Sequence, residues 1–158
     1  MSLETEILST LLNALKVRDG DTMASLYHPE ATFEDEVFCL KGAEIGAMWQ
    51  MLCQRGKDLE LTYSQLNSAK AGEGRVHWEP VYSFSGTGRK VHNRIDTVIE
   101  LKDGKIWRQR DRFNFWRWSM QALGPAGLAL GWTPLLRNKV KATARQTLEA
   151  FIKKNSQP

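Results

Sequence analysis

The feature that most constrains this chain is the dipeptide Asp103-Gly104, which lies between two runs rich in β-branched and aromatic residues. Asp-Gly favours the positive φ angles of a tight two-residue turn, so the pattern predicts a β-hairpin. With a two-residue loop, Lys102 pairs with Lys105, and counting outward places Asp96 opposite Asp111. A three-residue loop with a bulge would shift this register by one residue. The loop therefore decides which polar side chains share a sheet face.

In the two-residue register, the hairpin has one polar face and one mixed face. The polar face carries Arg94, Asp96, Val98, Gln109, Asp111 and Phe113. The opposite face carries Ile95, Thr97, Ile99, Ile106, Arg108 and Arg110. Because a sheet face of mixed apolar and basic residues needs cover, we expect this second face to pair with another copy in a homodimer.

Helical patterns precede and follow the strands. Apolar residues recur at helical spacing over residues 3–18, and Asp21 is expected to cap a short second helix that ends at Tyr27. After an extended segment over residues 31–40, Gly42 opens a third helix that closes near Gly56. Four antiparallel strands follow, from residue 59 onward. Helices segregated from an antiparallel sheet predict an α+β fold.

The C-terminal part returns to a helical pattern. We expect a helix over residues 116–123, an apolar loop over 124–134, and a final helix over about 135–154. Within the loop, the residues 128–132 either cover the mouth of a cavity or pack on the outer side of the sheet. We expect packing.

Composition excludes several classes of protein. The chain has 158 residues, 42% of them hydrophobic, which is typical of one globular domain spanning residues 1–158. The net charge of +4 is concentrated in the final helix without interleaved aromatics, so we expect a solvated face and no nucleic-acid partner. No apolar run is long enough to cross a membrane, and the acidic N-terminus is unlike a secretory signal. We therefore expect no membrane partner.

The cysteines and histidines give no metal or redox pattern. Cys39 and Cys53 are isolated thiols, which is typical of a reducing cytoplasm. His28, His77 and His92 lack the spacing of metal ligands. We expect neither a metal nor an organic cofactor.

The segment Ala31-Thr32-Phe33-Glu34-Asp35 lies between the second helix and the helix opened by Gly42, and the curled strands follow. This arrangement resembles the nuclear transport factor two-like superfamily. Within it, the chain resembles the SnoaL-like group, which includes ketosteroid isomerases, polyketide cyclases and limonene-epoxide hydrolase. The resemblance covers residues 5 to about 115, with residues 116–154 as an extension. It implies a cone-shaped barrel in which a curved antiparallel sheet wraps around the N-terminal helices.

The resemblance also implies candidate catalytic residues. Asp35 matches the proton-shuttling aspartate of ketosteroid isomerases, and Asp96 matches the protonated aspartate of their oxyanion hole. The position of the partner tyrosine of that oxyanion hole is Leu11 here. Tyr27 or Tyr82 could donate in its place, but we expect both to pack with their hydroxyl groups satisfied locally. Asp111 resembles the aspartate of the final strand in limonene-epoxide hydrolase.

Together these residues suggest acid–base chemistry in an apolar cone. Its walls would be formed by Leu11, Trp49, Trp78, Tyr82 and Phe113. Like charges in apolar surroundings cannot all ionise, so a neutral acid donates a hydrogen bond while an ionised one takes a proton. We expect Asp35 to be the base, Asp96 the hydrogen-bond donor, and Asp111 with Arg94 an orienting pair. The substrate would be a small hydrophobic cyclic carbonyl or polyketide-like compound.

Three other interpretations remain open at the level of sequence. Arg94 could neutralise the acids and convert the cluster into a structural ion network. The same fold could also bind a hydrophobic ligand without turnover, or serve as a protein-interaction module through its sheet.

Overall fold

The N-terminal helices follow the predicted pattern in a computed structural model that describes residues 2–156. Helix α1 spans Leu3–Lys16 and buries an apolar stripe, and helix α2 spans Gly20–Ser25. Helix α3 spans Ala43–Arg55, directly after Gly42 as predicted. The cap of α2 is Asp19 and not Asp21, because the Asp19 carboxylate accepts the backbone N–H of Thr22 at 3.0 Å.

Seven strands form one curved sheet behind these helices. The strands are β1 (Tyr27–Glu34), β2 (Cys39–Lys41), β3 (Glu60–Lys70), β4 (Glu73–Ser83), β5 (Lys90–His92), β6 (Ile95–Lys102) and β7 (Lys105–Arg112). Their order is β2-β1-β7-β6-β4-β3, with β5 paired to β4. Strand β1 runs parallel to β7, whereas the other pairs are antiparallel. The predicted α+β class is confirmed, but the sheet is mixed and open.

Strand β1 begins earlier than the sequence suggested. We expected a helix up to Tyr27 and a break at His28-Pro29, yet all three residues lie in the strand. A register irregularity between Tyr27 and Thr32 accommodates this stretch against β7. Since proline cannot donate to a strand ladder, it is tolerated where pairing is interrupted.

The hairpin has the predicted turn and an unpredicted bulge. Lys102 pairs with Lys105, and Asp103 and Gly104 have φ angles of 54° and 76°. One step further the register shifts, since Leu101 pairs with Ile106 but Glu100 pairs with Arg108. The extra residue is Trp107, whose ring lies beneath the Lys102 ammonium at 5.1 Å and the Arg108 guanidinium at 4.3 Å.

This bulge changes which side chains face inward. Asp111 pairs with Thr97 and both are buried, whereas Asp96 pairs with Arg112 and its side chain is 74% exposed. The prediction that Asp96 and Asp111 share a face is therefore wrong. The predicted mixed face is also wrong, because it combines residues from both sides of the sheet. Ile95, Thr97, Ile99 and Ile106 are buried inside, and Arg108 and Arg110 are exposed outside.

The C-terminal helices are α4 (Phe115–Leu123), α5 (Pro125–Leu130) and α6 (Pro134–Asn155). The expectation that residues 128–132 pack on the sheet is wrong, because Leu128 and Trp132 are 57% and 69% exposed. The contact with α4 is made by glycines instead. A Cβ on Gly127 would overlap the Ser119 carbonyl, so α5 contacts α4 through its backbone. The large side chains of this segment therefore point outward.

Among residues 2–156, no helix has both the length and the apolar character needed to cross a membrane.

We expect the bulge, and not the tryptophan ring, to control the register. Trp107→Ala removes the cation–π contacts and should lower the free energy of unfolding by only about 1 kcal/mol. Deletion of Trp107 removes the extra residue, so that one strand must turn its buried face outward. This should lower the free energy of unfolding by more than about 4 kcal/mol. Urea denaturation followed by tryptophan fluorescence measures both. Equal destabilisation by the two changes would contradict the assignment.

Candidate active site

A cavity of about 690 Å³ lies between the concave face of the sheet, α3 and α6. Its walls are mainly aromatic and aliphatic, and the four aromatic residues proposed from the sequence contribute to them. They are Trp49, Trp78, Tyr82 and Phe113. The side of α6 is also part of the wall, through Leu136, Val140 and Ala144. A cavity of this size suits a small ring system.

Asp111 is the most deeply placed acid in this cavity, with only 3% of its surface exposed. One carboxylate oxygen, Oδ1, accepts hydrogen bonds from the Thr97 hydroxyl at 2.7 Å and from the Gln109 amide at 3.0 Å. Burial raises the pKa of Asp111 to about 7, against the lowering effect of these two hydrogen bonds. The group is therefore poised to gain or lose a proton near neutral pH.

A hydrogen-bonded network fixes the two donors to Asp111. Thr97 accepts the ring N–H of Trp78 at 2.9 Å, so its hydroxyl proton is directed to the carboxylate. The carbonyl of Gln109 accepts the hydroxyl of Tyr27, which in turn accepts the ring N–H of Trp49 at 2.8 Å. Each donor therefore has one available orientation, and the carboxylate cannot turn without breaking these bonds.

Asp35 lies where β1 ends, in a tight turn. Its Oδ1 accepts the backbone N–H groups of Val37 at 2.7 Å and Phe38 at 2.6 Å. The side chain is half-buried, and burial raises its pKa to about 6 despite these two hydrogen bonds. The nearby Glu36 raises the pKa further, and Lys141 lowers it. The turn residues thus hold the carboxylate in a fixed position.

Asp35 and Asp111 line the same cavity and influence each other. The charge of Asp35 contributes to the raised pKa of Asp111. In each carboxylate one oxygen is held by two donors, and no donor among residues 2–156 contacts the other oxygen. Both carboxyl groups have pKa values raised towards neutral pH, mainly by burial. One acid can then donate a hydrogen bond while the other accepts a proton.

Two neutral donors line the cavity with these acids. The hydroxyl of Tyr82 accepts the ring N–H of Trp118 at 3.0 Å, and its own proton has no acceptor within the described chain. Asn93 is buried, and its carbonyl accepts the backbone N–H of Arg94 at 3.1 Å, which leaves its amide protons for the cavity. Either group could stabilise a developing oxyanion.

Three residues proposed from the sequence are not in this cavity. Asp96 lies on the outer face, where its carboxylate contacts His77 at 2.8 Å. Arg94 is also outside, 3.9 Å from Glu79. Both assignments are wrong because the bulge reverses the orientation of β6 relative to Asp111. Leu11 is fully buried in α1 and belongs to the hydrophobic core, not to the cavity wall.

The sequence reading missed several residues of the cavity region. Thr97 was assigned to the opposite face, and Trp118 belongs to the extension that was given no role. Gln109 was placed on the correct face by strand alternation, but its bond to Asp111 was not foreseen. Among residues 2–156, no group of three or more histidine, cysteine, aspartate or glutamate side chains could hold a metal ion.

Residues 8–109 match the family model of the SnoaL-like domain. The chain belongs to the SnoaL-like family. The matched region contains both Asp35 and the two tryptophans that support Asp111, while Asp111 itself lies two residues beyond it. No curated protein sequence matches the chain.

Several solved structures share the fold of this chain at low sequence identity. A hypothetical protein with a ketosteroid isomerase-like fold from Catenulispora acidiphila has a TM-score of 0.67 and 16% identity, covering 82% of this chain and 98% of its own. An LEH-like epoxide hydrolase from M. tuberculosis has a TM-score of 0.64 and 18% identity, and the match covers 81% of this chain and 96% of the hydrolase. A candidate polyketide cyclase from Silicibacter sp. has a TM-score of 0.60 and 15% identity, and the match covers 74% of this chain and 93% of the cyclase.

We expect Asp111→Asn to stabilise the protein, and increasingly so as the pH rises. The unfolded chain releases this proton near pH 3.8, while the folded state keeps it to about pH 7. Between these pH values the unfolded chain is ionised at this position and the folded chain is not, so the free energy of unfolding falls across the interval. The variant avoids this loss, which is about 4 kcal/mol or less at pH 8.

Urea denaturation at pH 4.5 and pH 8 measures the effect. The control is Glu60→Gln at the exposed start of β3, which should change the free energy of unfolding by less than about 0.5 kcal/mol at both values. A stability gain of Asp111→Asn that is independent of pH would show that Asp111 titrates as a solvated acid.

Proposed function

We propose that this chain is a cofactor-free acid–base enzyme of SnoaL-like type, isomerase- or cyclase-like, acting on a hydrophobic cyclic carbonyl or polyketide-like compound. The observation that carries this proposal is the pair of carboxyl groups, Asp35 and Asp111, with raised pKa values in one mainly apolar cavity. Titratable groups whose pKa values are shifted towards neutral pH, and which lie in a concave site, are typical of catalytic sites.

The proposed reaction begins with proton removal next to a carbonyl group. Ionised Asp35 takes the proton from the carbon, and the electron pair of that C–H bond moves to the carbonyl oxygen. Neutral Asp111 donates a hydrogen bond to this developing oxyanion, with Tyr82 and Asn93 as further donors. Return of the proton to another carbon gives an isomer, whereas attack of the enolate carbon on a second carbonyl closes a ring.

The roles follow from the surroundings of the two acids, since Asp35 is half-buried and accepts two backbone N–H groups, whereas Asp111 is buried. Asp35 has the lower pKa value, about 6, and is the acid that ionises first. Asp111 has the higher value, about 7, and keeps the proton. Asp96, assigned from the sequence as the neutral donor, contacts His77 on the outer face, so Asp111 takes that role in this proposal.

The structural relatives support the general class of small-molecule enzyme. They include an epoxide hydrolase and a candidate polyketide cyclase, with different reactions on one fold. Since function is carried by sites and not by folds, the choice of proton transfer rests on the acids of this chain.

Ligand binding without turnover is the alternative that the cavity itself supports. An apolar cavity of about 690 Å³ binds a ring compound whether or not the acids react with it. A protein-interaction module would not need such a cavity, so this third interpretation has less support.

Two further expectations belong to the proposal. The free thiols Cys39 and Cys53 agree with a reducing cytoplasm. The outer face of the sheet carries an arginine row on β7 beside the carboxylates of β6, as in the pair Arg108–Glu100 at 3.9 Å. Charges arranged in rows are self-complementary across a two-fold axis, and we propose a homodimer through this face. Light scattering at micromolar concentration tests it.

Deuterium exchange into 2-tetralone tests the proposed chemistry. In D₂O, the protein should accelerate exchange of the protons next to the carbonyl, as followed by mass spectrometry. Asp35→Asn removes the base and should lower the rate at least about a hundredfold. Asp96→Asn, the matched change on the outer face, should leave the rate within about twofold of the unsubstituted protein.

The pH profile gives a second readout. Since activity needs one proton on the pair, kcat/KM for exchange should be bell-shaped, with limbs near the values of about 6 and about 7. Saturable binding of 2-tetralone without accelerated exchange would make the protein a ligand-binding module.

A further inference from the structure

Two series of hydrogen bonds end on the carboxyl group of Asp111, and each begins at an indole N–H. In the first series, the hydroxyl oxygen of Thr97 lies 2.9 Å from the ring nitrogen of Trp78 and 2.7 Å from Oδ1 of Asp111. An indole N–H can only donate, so the Thr97 oxygen accepts from Trp78 and its single proton is left for Asp111. Thr97 is buried, and a reversed hydroxyl would leave that proton without an acceptor.

The second series has the same construction. The ring N–H of Trp49 donates to the hydroxyl of Tyr27 at 2.8 Å, and this hydroxyl donates to the carbonyl of Gln109. The amide nitrogen of Gln109 therefore points at Oδ1 of Asp111, at a distance of 3.0 Å. Turning the amide over would bring two donors together in a buried site, the N–H of Gln109 and the O–H of Tyr27. Oδ1 is thus an acceptor at the end of both series.

The second carboxyl oxygen of Asp111, Oδ2, has no protein partner and is open to the cavity. None of the hydrogen bonds among residues 2–156 reaches it. In the same part of the chain, Nε of Arg117 is the one fully buried side-chain polar atom that lacks a partner. Since Oδ2 also lacks a partner, it is not sealed inside the protein, and Asp111 forms part of the cavity wall.

We propose that the proton of neutral Asp111 resides on Oδ2 and points into the cavity, and that Thr97 and Gln109 are the positioning residues that hold it there. A proton on Oδ1 would face the hydroxyl proton of Thr97 and the amide protons of Gln109, and neither donor can turn away. Tyr27 and the two indoles act one step further back, because they prevent the donors from reversing. This inference rests on the proposed function, whose hydrogen-bond donor it assigns to a single atom.

The position of the proton decides how a ligand meets the acid. A ligand oxygen that accepts this proton has to approach Oδ2, since Oδ1 of Asp111 is occupied by its two donors. Those two hydrogen bonds stay in place whether Oδ2 is protonated or ionised, so no protein group has to reorient when the proton moves. The rings of Trp49 and Trp78 line the same cavity. The rings that would contact an apolar ligand therefore also fix the donors behind the acid.

Infrared spectroscopy identifies the oxygen that carries the proton. A neutral carboxyl group has a C=O stretching band, which shifts to lower frequency when the C=O oxygen accepts hydrogen bonds. The difference between spectra recorded in D₂O at about pH 5.5 and 8.5 selects Asp35 and Asp111, because the ordinary pKa values of carboxyl groups lie below this interval. The band that disappears in Asp111→Asn and persists in Asp35→Asn belongs to Asp111.

We expect Thr97→Val to move this band to higher frequency, because the C=O oxygen is Oδ1 and loses one of its two donors. Thr97→Ser keeps a hydroxyl and should restore the original frequency. Tyr27→Phe lets the Gln109 amide turn over and should add a second band at higher frequency. Thr62→Val, at an exposed threonine of β3, is the matched control and should leave the band unchanged. Far-UV circular dichroism shows whether each variant is folded.

The results separate this inference from the proposed function. If Thr97→Val leaves the band at its original frequency, the proton is on Oδ1 and the inference is wrong, while a neutral donor remains for the proposed reaction. If Thr97→Ser shifts the band as far as Thr97→Val, altered packing causes the shift, which also contradicts the inference. A single unchanged band in Tyr27→Phe would show that Tyr27 does not hold the amide. If no band disappears in Asp111→Asn, the acid is ionised throughout, and the inference and the proposed donor fail together.

Discussion

The orientation of the inner sheet face depends on one residue, Trp107, that has no partner on the neighbouring strand. Because side chains alternate along a strand, one extra residue in β7 reverses the pairing between β6 and the end of β7. Thr97 therefore meets Asp111 inside the sheet, and Asp96 meets Arg112 outside. The donor to the buried carboxylate, the wall of the cavity and the charged outer surface all follow from this register.

Burial of the Asp111 carboxyl group costs stability once the group is ionised. Asp111 lies among apolar side chains with only 3% of its surface exposed, and an ionised group there costs free energy. The hydrogen bonds from Thr97 and Gln109 offset part of this cost without returning the pKa to its ordinary range. The aromatic residues behind them fix both donors. A non-catalytic core would gain stability from an apolar residue at this position.

Much of the fold could be predicted because it follows from local chemistry. The spacing of apolar residues predicted α1 and α3, and Asp103-Gly104 predicted the turn. The segment predicted as extended over residues 31–40 is divided in the structure into β1 and β2 by the turn at Asp35. The bulge could not be predicted, since nothing at Trp107 distinguishes a paired from an unpaired strand residue. The two-residue loop was right, but counting onward from it placed Asp96 on the wrong face.

Other parts of the site depend on tertiary contacts that periodicity does not contain. Strand alternation put Gln109 beside Asp111, but the bond from Tyr27 joins residues 82 positions apart in the sequence. The sequence predicted the final helix, and only the three-dimensional arrangement shows that Leu136 and Val140 of α6 face a cavity. The exposure of residues 128–132 likewise results from the glycine contacts with α4.

The position of α6 has a consequence for how the cavity is encoded. Residues 8–109 match the SnoaL-like domain, and Asp35 lies among them, whereas α6 begins at Pro134. The helix nevertheless forms one wall of the apolar cavity, through Leu136 and Val140. Asp35 and this wall are thus encoded in separate stretches of the chain. Replacement of the last helix would change which molecules fit the cavity, while Asp35 and Asp111 stay in place.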